Sequence, residues 1–255
     1  MLAYLQMRRQ RIVRTGELTG PLKLSRTQEA GVFSRMTRGG IIARVRRGLY
    51  LVPERLPLGG AWSPPEPLAL NTLMADREGL YQICGPNAFN LHGLDQQVPA
   101  RVWAYNNRIS GQRTIGVVEL NLIKVGDERL GGTKSVVSTD GETSVYSSRV
   151  RTLVDAVYDW SRFNSLPRAY AWIRAELEGE RVTVAELVAA TLRWGDRGTV
   201  RRIGYLLERL GAPASSLKLL ARALPVSTGL IPWNPAAPKR GSANRNWGVV
   251  VNDPF

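Results

Sequence analysis

The segment Leu24–Val52 constrains the fold of this chain more than any other stretch of its sequence. It opens with Ser25–Gln28 (SRTQ), a capping box in which the serine oxygen and the glutamine side chain each satisfy a backbone amide at the start of a helix. The helix is expected to end at Gly39. Two β-rich runs follow it, Ile41–Val45 and Leu49–Val52, and an Arg-Arg-Gly turn joins them. The segment therefore predicts a helix that leads directly into a β-hairpin.

The predicted helix has one apolar and one polar side. At 100° per residue, the apolar side is expected to pack on the protein and holds Ala30, Val32, Phe33 and Met36. The other side is free to enter the major groove of DNA, which admits one helix. Its candidate DNA-binding residues are Arg26, Thr27, Gln28, Gly31, Ser34, Arg35 and Arg38. Gly31 permits close approach, and the other side chains include types that reach base edges.

The predicted hairpin adds three candidate phosphate contacts, Arg44, Arg46 and Arg47. Residues 1–60 carry 12 Arg and Lys against 3 Glu, which places +9 of the net charge of +14 in this segment. Two further helices are predicted before Ser25: one over Leu2–Arg14, and a short, imperfect one within Thr15–Leu24. Together these elements predict a winged helix-turn-helix that binds double-stranded DNA.

The composition argues against most catalysis. With one cysteine, Cys84, and one histidine, His92, the chain cannot form a Cys/His zinc cluster. A Ser-His-Asp triad would need His92, which we interpret instead as a hydrogen-bonded structural residue at the end of a helix. We therefore expect no catalytic residue, no metal and no cofactor. No apolar window is long enough for a membrane span, and a lone cysteine fits the reducing cytoplasm.

The chain is predicted to divide in two at the Pro- and Gly-rich connector Glu54–Pro67. Residues 1–60 would form the DNA-binding domain and residues 61–255 a larger domain. That larger domain is expected to be sheet-rich over about 66–147 and helical over about 148–223, with a tail at 224–255. Strands and helices do not alternate regularly, so an α+β fold with a largely antiparallel sheet is predicted rather than a doubly wound one.

Three features of the larger domain have competing interpretations. Thr114–Val125 is predicted to be a single strand. The glycine-rich Gly126–Ser135 is similar to a phosphate-binding loop, but its lysine is out of register. A second basic patch on a predicted helix is interpreted first as a solvated face, with contact to nucleic acid or an acidic partner as the alternative; it comprises Arg197, Arg201, Arg202 and Arg209.

Five motifs, taken in order, resemble the AbiEi-type antitoxin and transcriptional regulator family of bacterial type IV toxin–antitoxin, or abortive-infection, systems. They are RRGLYLV (46–52), NAFNLHGL (87–94), SSRVRTLVDAV (147–157), GYLLERLG (204–211) and NWGVVVN (246–252). Each motif is weak alone, and together they span nearly the whole chain. The broken second helix and the proline-rich Pro232–Arg245 depart from the pattern.

The resemblance implies a phage-defence regulator that represses its own operon through its N-terminal domain, at inverted repeats in the promoter. The C-terminal domain would neutralise a cognate nucleotidyltransferase-like toxin without forming a stable complex with it. Two alternatives stay open. One is a repressor whose larger domain binds a metabolite. The other is a metal-dependent nucleic-acid enzyme that uses Glu119, Asp127 and Glu128, although these acids form no convincing nuclease motif.

Overall fold

The computed structural model describes residues 1–56, 59–225 and 229–253. Residues 57–58 of the predicted connector, and residues 226–228 and 254–255 of the predicted tail, lie outside the described residues. The helices are α1 (Leu2–Met7), α2 (Arg26–Arg38), α3 (Glu66–Asp76), α4 (Gly85–Leu91), α5 (Arg149–Tyr158), α6 (Trp160–Phe163), α7 (Arg168–Glu178), α8 (Val184–Trp194), α9 (Arg197–Arg209) and α10 (Ala214–Arg222). The strands are β1 (Ile12–Arg14), β2 (Ala43–Arg46), β3 (Leu49–Leu51), β4 (Tyr81–Ile83), β5 (Val102–Asn106), β6 (Gly111–Ile115), β7 (Val118–Lys124), β8 (Thr133–Val137), β9 (Thr143–Ser147), β10 (Ile231–Pro232), β11 (Ser242–Asn244) and β12 (Val249–Val251). This order is the mixed α+β class that the sequence predicts.

The chain divides into two compact units. The first contains Met1–Ile83, Pro99–Leu130 and Ser135–Val145, and the second contains Cys84–Val98, Gly131–Lys134 and Tyr146–Phe255. This division differs from the boundary predicted near residue 60, because the first unit also holds α3 and most of the central sheet.

The N-terminal part of the first unit is built on a three-stranded antiparallel sheet in the order β1-β3-β2. The prediction of one helix over Leu2–Arg14 was wrong: α1 stops at Met7, and Ile12–Arg14 pairs with β3. The predicted second helix within Thr15–Leu24 is a series of turns. Pairing with β3 is favoured over continuation of the helix because it buries Val13 completely in the core under α2.

The rest of the first unit contains a six-stranded sheet in the order β6-β7-β5-β4-β9-β8. It is mixed, because β5 and β7 are parallel whereas β4–β5 and β6–β7 are antiparallel. The prediction of one strand over Thr114–Val125 was wrong, since the chain reverses at Gly116 and Val117. Gly116 adopts φ +64°, which an L side chain rarely takes, and so it provides the turn.

Several contacts fix residues 1–52 to the remainder of the first unit. The Trp62 amide donates to the Gly40 carbonyl at 2.8 Å. A Cβ at Gly116 would lie 2.8 Å from Pro64 Cδ and 3.3 Å from Ala43 Cβ, so the β6–β7 turn packs directly on β2. The helix-and-hairpin segment is therefore held by the sheet that follows it.

The second unit is organised around α5, in which residues 151–157 are all buried. Arg151 and Asp155 form an i,i+4 pair, with Nε 2.9 Å from Oδ1, and both side chains are fully buried. A small sheet in the order β10-β12-β11 closes the unit. Its Trp233 stacks on Tyr170 with ring centroids 3.6 Å apart. This sheet was not predicted, and it gives the C-terminal region a core.

Candidate nucleic-acid interface

Helix α2 presents the predicted polar face to solvent. The capping box at Ser25 is formed as predicted, and Phe33 packs inward, stacked on Tyr50 of β3 with centroids 4.5 Å apart. The exposed residues of the candidate face are Arg26, Thr27, Gln28, Ser34, Arg35 and Arg38, and Gly31 is half-buried. Ala30 was expected on the packed side, and that prediction was wrong: Ala30 is exposed.

Two members of this face are engaged within the helix. Gln28 Oε1 accepts the Ser25 amide at 2.8 Å, so the capping box occupies the oxygen that a bidentate contact to adenine would use. Arg35 lies back over Gly31, where an added Cβ would be 3.6 Å from Arg35 Nη1. The capping box therefore engages Gln28, whereas Ser34 and Arg35 stay exposed.

Glu29 anchors α2 from below, and sequence reasoning missed it. Its carboxylate is fully buried and accepts the Gly16 amide at 2.6 Å and the Leu18 amide at 2.9 Å. These bonds tie the turns before α2 to the helix. The sequence does contain a signal that could have identified Glu29. It is a single acidic residue on an otherwise basic helix, close to a glycine-containing turn.

The β2–β3 hairpin separates its arginines into two groups. Arg44 and Arg47 are exposed. Arg46 instead forms a bidentate pair with Asp76 at the end of α3, with Nε–Oδ2 and Nη2–Oδ1 both 2.6 Å. Arg14 adds a 3.3 Å contact to the same carboxylate. The hydrogen bonds from Arg46 are the main cause that lowers the pKa of Asp76, so the carboxylate stays ionised and offsets the charge of Arg46.

The cationic surface of the first unit thus rests on fewer arginines than the sequence suggested. Among the residues described, no ion pair is recorded for five exposed arginines, namely Arg26, Arg35 and Arg38 of α2 and Arg44 and Arg47 of the hairpin. Arg26, Arg35 and Arg38 lie on α2, Arg44 lies in β2, and Arg47 lies in the turn before β3. Such a surface can bind phosphates through charge and fixed geometry.

The second basic patch is not one solvated face, so that interpretation needs correction. Arg197 and Arg209 are exposed and Arg201 is half-buried, but Arg202 is only 7% exposed. Arg202 donates to the Pro232 carbonyl at 3.3 Å, and burial lowers its pKa. It belongs to the core of the second unit.

His92 has the hydrogen-bonded, structural surroundings that the sequence predicted. It is buried, and its Nε2 donates to the carbonyl oxygen of Ser147 at 2.9 Å. Burial lowers its pKa, so the ring is held neutral. Ser147 Oγ donates to Asp155 at 3.3 Å, and the histidine contacts the serine backbone. That arrangement differs from a triad, in which the histidine takes the hydroxyl proton.

The residues of the enzyme alternative are dispersed or engaged elsewhere. Glu119 pairs with Arg101, and Asp127 accepts the side-chain amide of Asn107 at 2.8 Å. Within residues 1–56, 59–225 and 229–253, no group of three His, Cys, Asp or Glu could hold a metal.

Gly132, within the glycine-rich segment Gly126–Ser135, has a packing role in the second unit. A Cβ at Gly132 would lie 2.6 Å from Trp194 Cη2, so Gly132 leaves room for the tryptophan ring. Packing therefore explains a glycine that the sequence left open to a phosphate-binding interpretation.

Of the helices in the described part of the chain, none is long and apolar enough to cross a membrane.

These elements define a mixed α+β protein whose N-terminal helix and hairpin form an arginine-rich surface. Residues 1–53 match the model of a family described as transcriptional regulator, AbiEi antitoxin. The resemblance stated from the sequence motifs is thereby confirmed over these residues, and the match supports a DNA-binding antitoxin at the level of the family. A comparison with curated proteins gave no match.

The fold also has a counterpart among solved structures. The crystal structure of the RV2827C protein from Mycobacterium tuberculosis is similar with a TM-score of 0.62 and 17% sequence identity. The similarity covers 97% of this chain and 88% of that chain. At this identity the likeness establishes the fold alone.

Proposed function

We propose that this chain is a cytoplasmic, DNA-binding antitoxin that acts by binding rather than by catalysis. Its N-terminal segment would act as a winged helix-turn-helix, with α2 in the major groove and the β2–β3 hairpin along the adjacent backbone. The observation that carries this proposal is the exposed arginine face of α2, in the segment that matches the family model. Its 13 residues make a helix about 20 Å long, which suits a groove that admits one helix.

A gel-shift measurement with the chain's own promoter at fixed salt tests the docking. Arg35→Ala and Arg38→Ala should each weaken operator binding. A base-reading arginine costs about 1–3 kcal/mol and relaxes specificity at one position, whereas a phosphate contact lowers affinity for all sequences alike. Arg193→Ala, which changes an exposed residue of α8 in the second unit, is the matched control for loss of one charge. Wild-type affinity in both α2 variants would exclude this docking.

The regulatory part of the proposal is that the chain represses its own operon at inverted repeats. It would also neutralise a nucleotidyltransferase-like toxin without a stable complex. The family match and the resemblance of the motifs support it. Residues 1–60 share a unit with α3 and with residues 135–145, in which Arg46 pairs with Asp76 and Arg11 with Glu142. Truncation at residue 60 would remove those partners, so full-length variants separate the two roles more cleanly.

The experiment uses the Arg35→Ala/Arg38→Ala double variant, expressed from an unrelated promoter together with the cognate toxin. We expect it to lose repression of a promoter reporter and still to protect growth. Arg193→Ala should retain both activities. Loss of protection in parallel with loss of repression would show that neutralisation depends on DNA binding, and the proposed split of roles would be wrong.

A ligand-responsive repressor is the second candidate, and one cavity favours it. A space of about 500 Å³ in the first unit lies between the end of α2, strand β2 and the β6–β7 turn. It is lined by Thr37, Gly40, Arg44, Trp62, Thr114 and Val117, among others. A ligand there would touch both DNA-binding elements. A metabolite mixture that shifts operator affinity in the wild type but not in Trp62→Ala would support this candidate.

A further inference from the structure

The second unit contains a small basic pocket that the DNA-binding proposal does not use. Its volume is about 280 Å³, and it lies between α9, the end of α10 and the turn before β12. Its lining includes Arg201, Ala221, Leu224, Arg245, Trp247 and Gly248. We call it the Trp247 pocket.

Trp247 brings a buried donor to this pocket. The indole is 3% exposed, and its six-membered ring packs on α9 at Gly204, where a Cβ would lie 2.1 Å from Cζ3. Nε1 lies across the indole from Cζ3, so the N–H is directed away from Gly204. Among the described residues, Nε1 is buried with no hydrogen-bond partner. A buried N–H without an acceptor is unfavourable, and an acceptor bound in the pocket would remove that cost.

Two arginines give the pocket its charge. Arg201 uses one of its five N–H donors on the Gly229 carbonyl, at 2.9 Å. Its guanidinium lies against the bare backbone of Gly248, where a Cβ would be 3.3 Å from Cζ. Arg245 is exposed at the mouth. The nearby Glu208 does not line the pocket and instead accepts the side-chain amide of Asn244 at 2.9 Å.

These groups favour a ligand that carries two negative charges and whose polar atoms are all hydrogen-bond acceptors. Two guanidinium groups and an indole N–H are all donors, and a phosphate offers several terminal oxygens to them. The cavity, about 280 Å³, is just below the range of about 300–1,000 Å³ for small-molecule sites, so it suits a phosphate with a sugar-sized group attached. Ala221 and Leu224 provide an apolar wall for the carbon skeleton.

We propose that the Trp247 pocket binds a small phosphate monoester. Arg201 and Arg245 pair with the phosphate oxygens, and Trp247 Nε1 donates to one of them. The residues that line this site all belong to the second unit, whereas α2 and the β2–β3 hairpin belong to the first.

The indole N–H signals of the 15N-labelled protein provide the test. The Trp247 signal is assigned by its loss in Trp247→Phe, and the probe is ribose 5-phosphate, with ribose as the unphosphorylated control. We expect a saturable shift of the Trp247 signal with ribose 5-phosphate and none with ribose. Arg201→Ala and Arg245→Ala should each raise Kd by about tenfold or more, the loss of one charge-assisted hydrogen bond.

Arg193→Ala and Arg222→Ala, which change exposed arginines of the same unit outside the pocket, serve as charge controls and should leave Kd unchanged. Because Arg245 is exposed, its variant should fold and keep the test valid. No shift, an equal shift with ribose, or unchanged Kd in both pocket variants would overturn the proposal. Equal affinity for inorganic phosphate would contradict a monoester site, and stronger binding of a 5′-phosphorylated oligonucleotide would assign the pocket to nucleic-acid ends instead.

Discussion

The pairing of Arg46 with Asp76 makes a quantitative prediction for DNA binding. Each phosphate neutralised by a cation contributes about 0.9 to the slope of log K against log[salt]. From the sequence, Arg46 and Arg47 count equally, and replacing both by alanine would flatten the slope by about 1.8. In the structure, Asp76 holds Arg46 through two 2.6 Å hydrogen bonds and offsets its charge. We therefore expect Arg47→Ala to flatten the slope by about 0.9 and the double variant by no more.

The opposite change is equally informative. Asp76→Asn removes the carboxylate charge and releases Arg46, so the slope should become steeper by about 0.9 if the freed side chain reaches a phosphate. Fluorescence anisotropy with a labelled promoter fragment, measured over a series of salt concentrations, gives each slope. Arg193→Ala, outside the face, should leave it unchanged. A flattening of about 0.9 in Arg46→Ala alone, with no effect of Asp76→Asn, would refute this reasoning.

Four further predictions concern stability and close packing; each is measured by denaturant or thermal unfolding, and Gly31→Ala also by operator binding. The pKa of His92 is lowered in the folded protein, so the unfolded chain takes up this proton first as pH falls. The free energy of unfolding should therefore decrease as pH drops below about 6.5. His92→Gln should lack that part of the decrease. Gly204→Ala should destabilise the second unit by about 1–3 kcal/mol because its Cβ would overlap Trp247. The Cβ that Gly31→Ala adds would lie at an ordinary contact distance, 3.6 Å from Arg35 Nη1, so the variant should keep full stability. It should nevertheless weaken operator binding. Glu29→Gln should lower the free energy of unfolding by about 1–3 kcal/mol. Two backbone N–H groups donate to the Glu29 carboxylate, and one of them would lose its acceptor.

Each of these predictions has a distinct contradicting result. Identical pH dependence in His92→Gln would mean that another group titrates. Wild-type stability in Gly204→Ala would mean that α9 and the indole separate at little cost. Unchanged operator binding by a folded Gly31→Ala variant would place Gly31 away from the groove. A neutral Glu29→Gln variant would show that the turns before α2 do not depend on the carboxylate.

Local chemistry accounts for what the sequence predicted well. The capping box at Ser25 is formed, because it depends on residues only three positions apart. The exposure of Ser34, Arg35 and Arg38 follows from helical periodicity in the same way.

Long-range pairing accounts for what the sequence could not predict. Ile12–Arg14 has a helix-compatible pattern and is extended only because β3 lies beside it. The partner of Arg46 lies thirty residues further along the chain, so no local pattern identifies it. The buried state of Arg202 depends on Pro232 in a sheet that the sequence did not indicate.

The most direct test of the central claim asks whether the exposed face of α2 lies in the groove of DNA. Ser34→Cys, labelled with an iron chelate, should cleave the promoter within the operator, because Ser34 lies on the exposed face of α2. The native Cys84 is fully buried and should remain unlabelled. Lys218→Cys on exposed α10 is the matched control and should give no localised cleavage. Localised cleavage from position 34 alone is the result expected; operator binding without cleavage from position 34, or equal cleavage from position 218, would contradict the account.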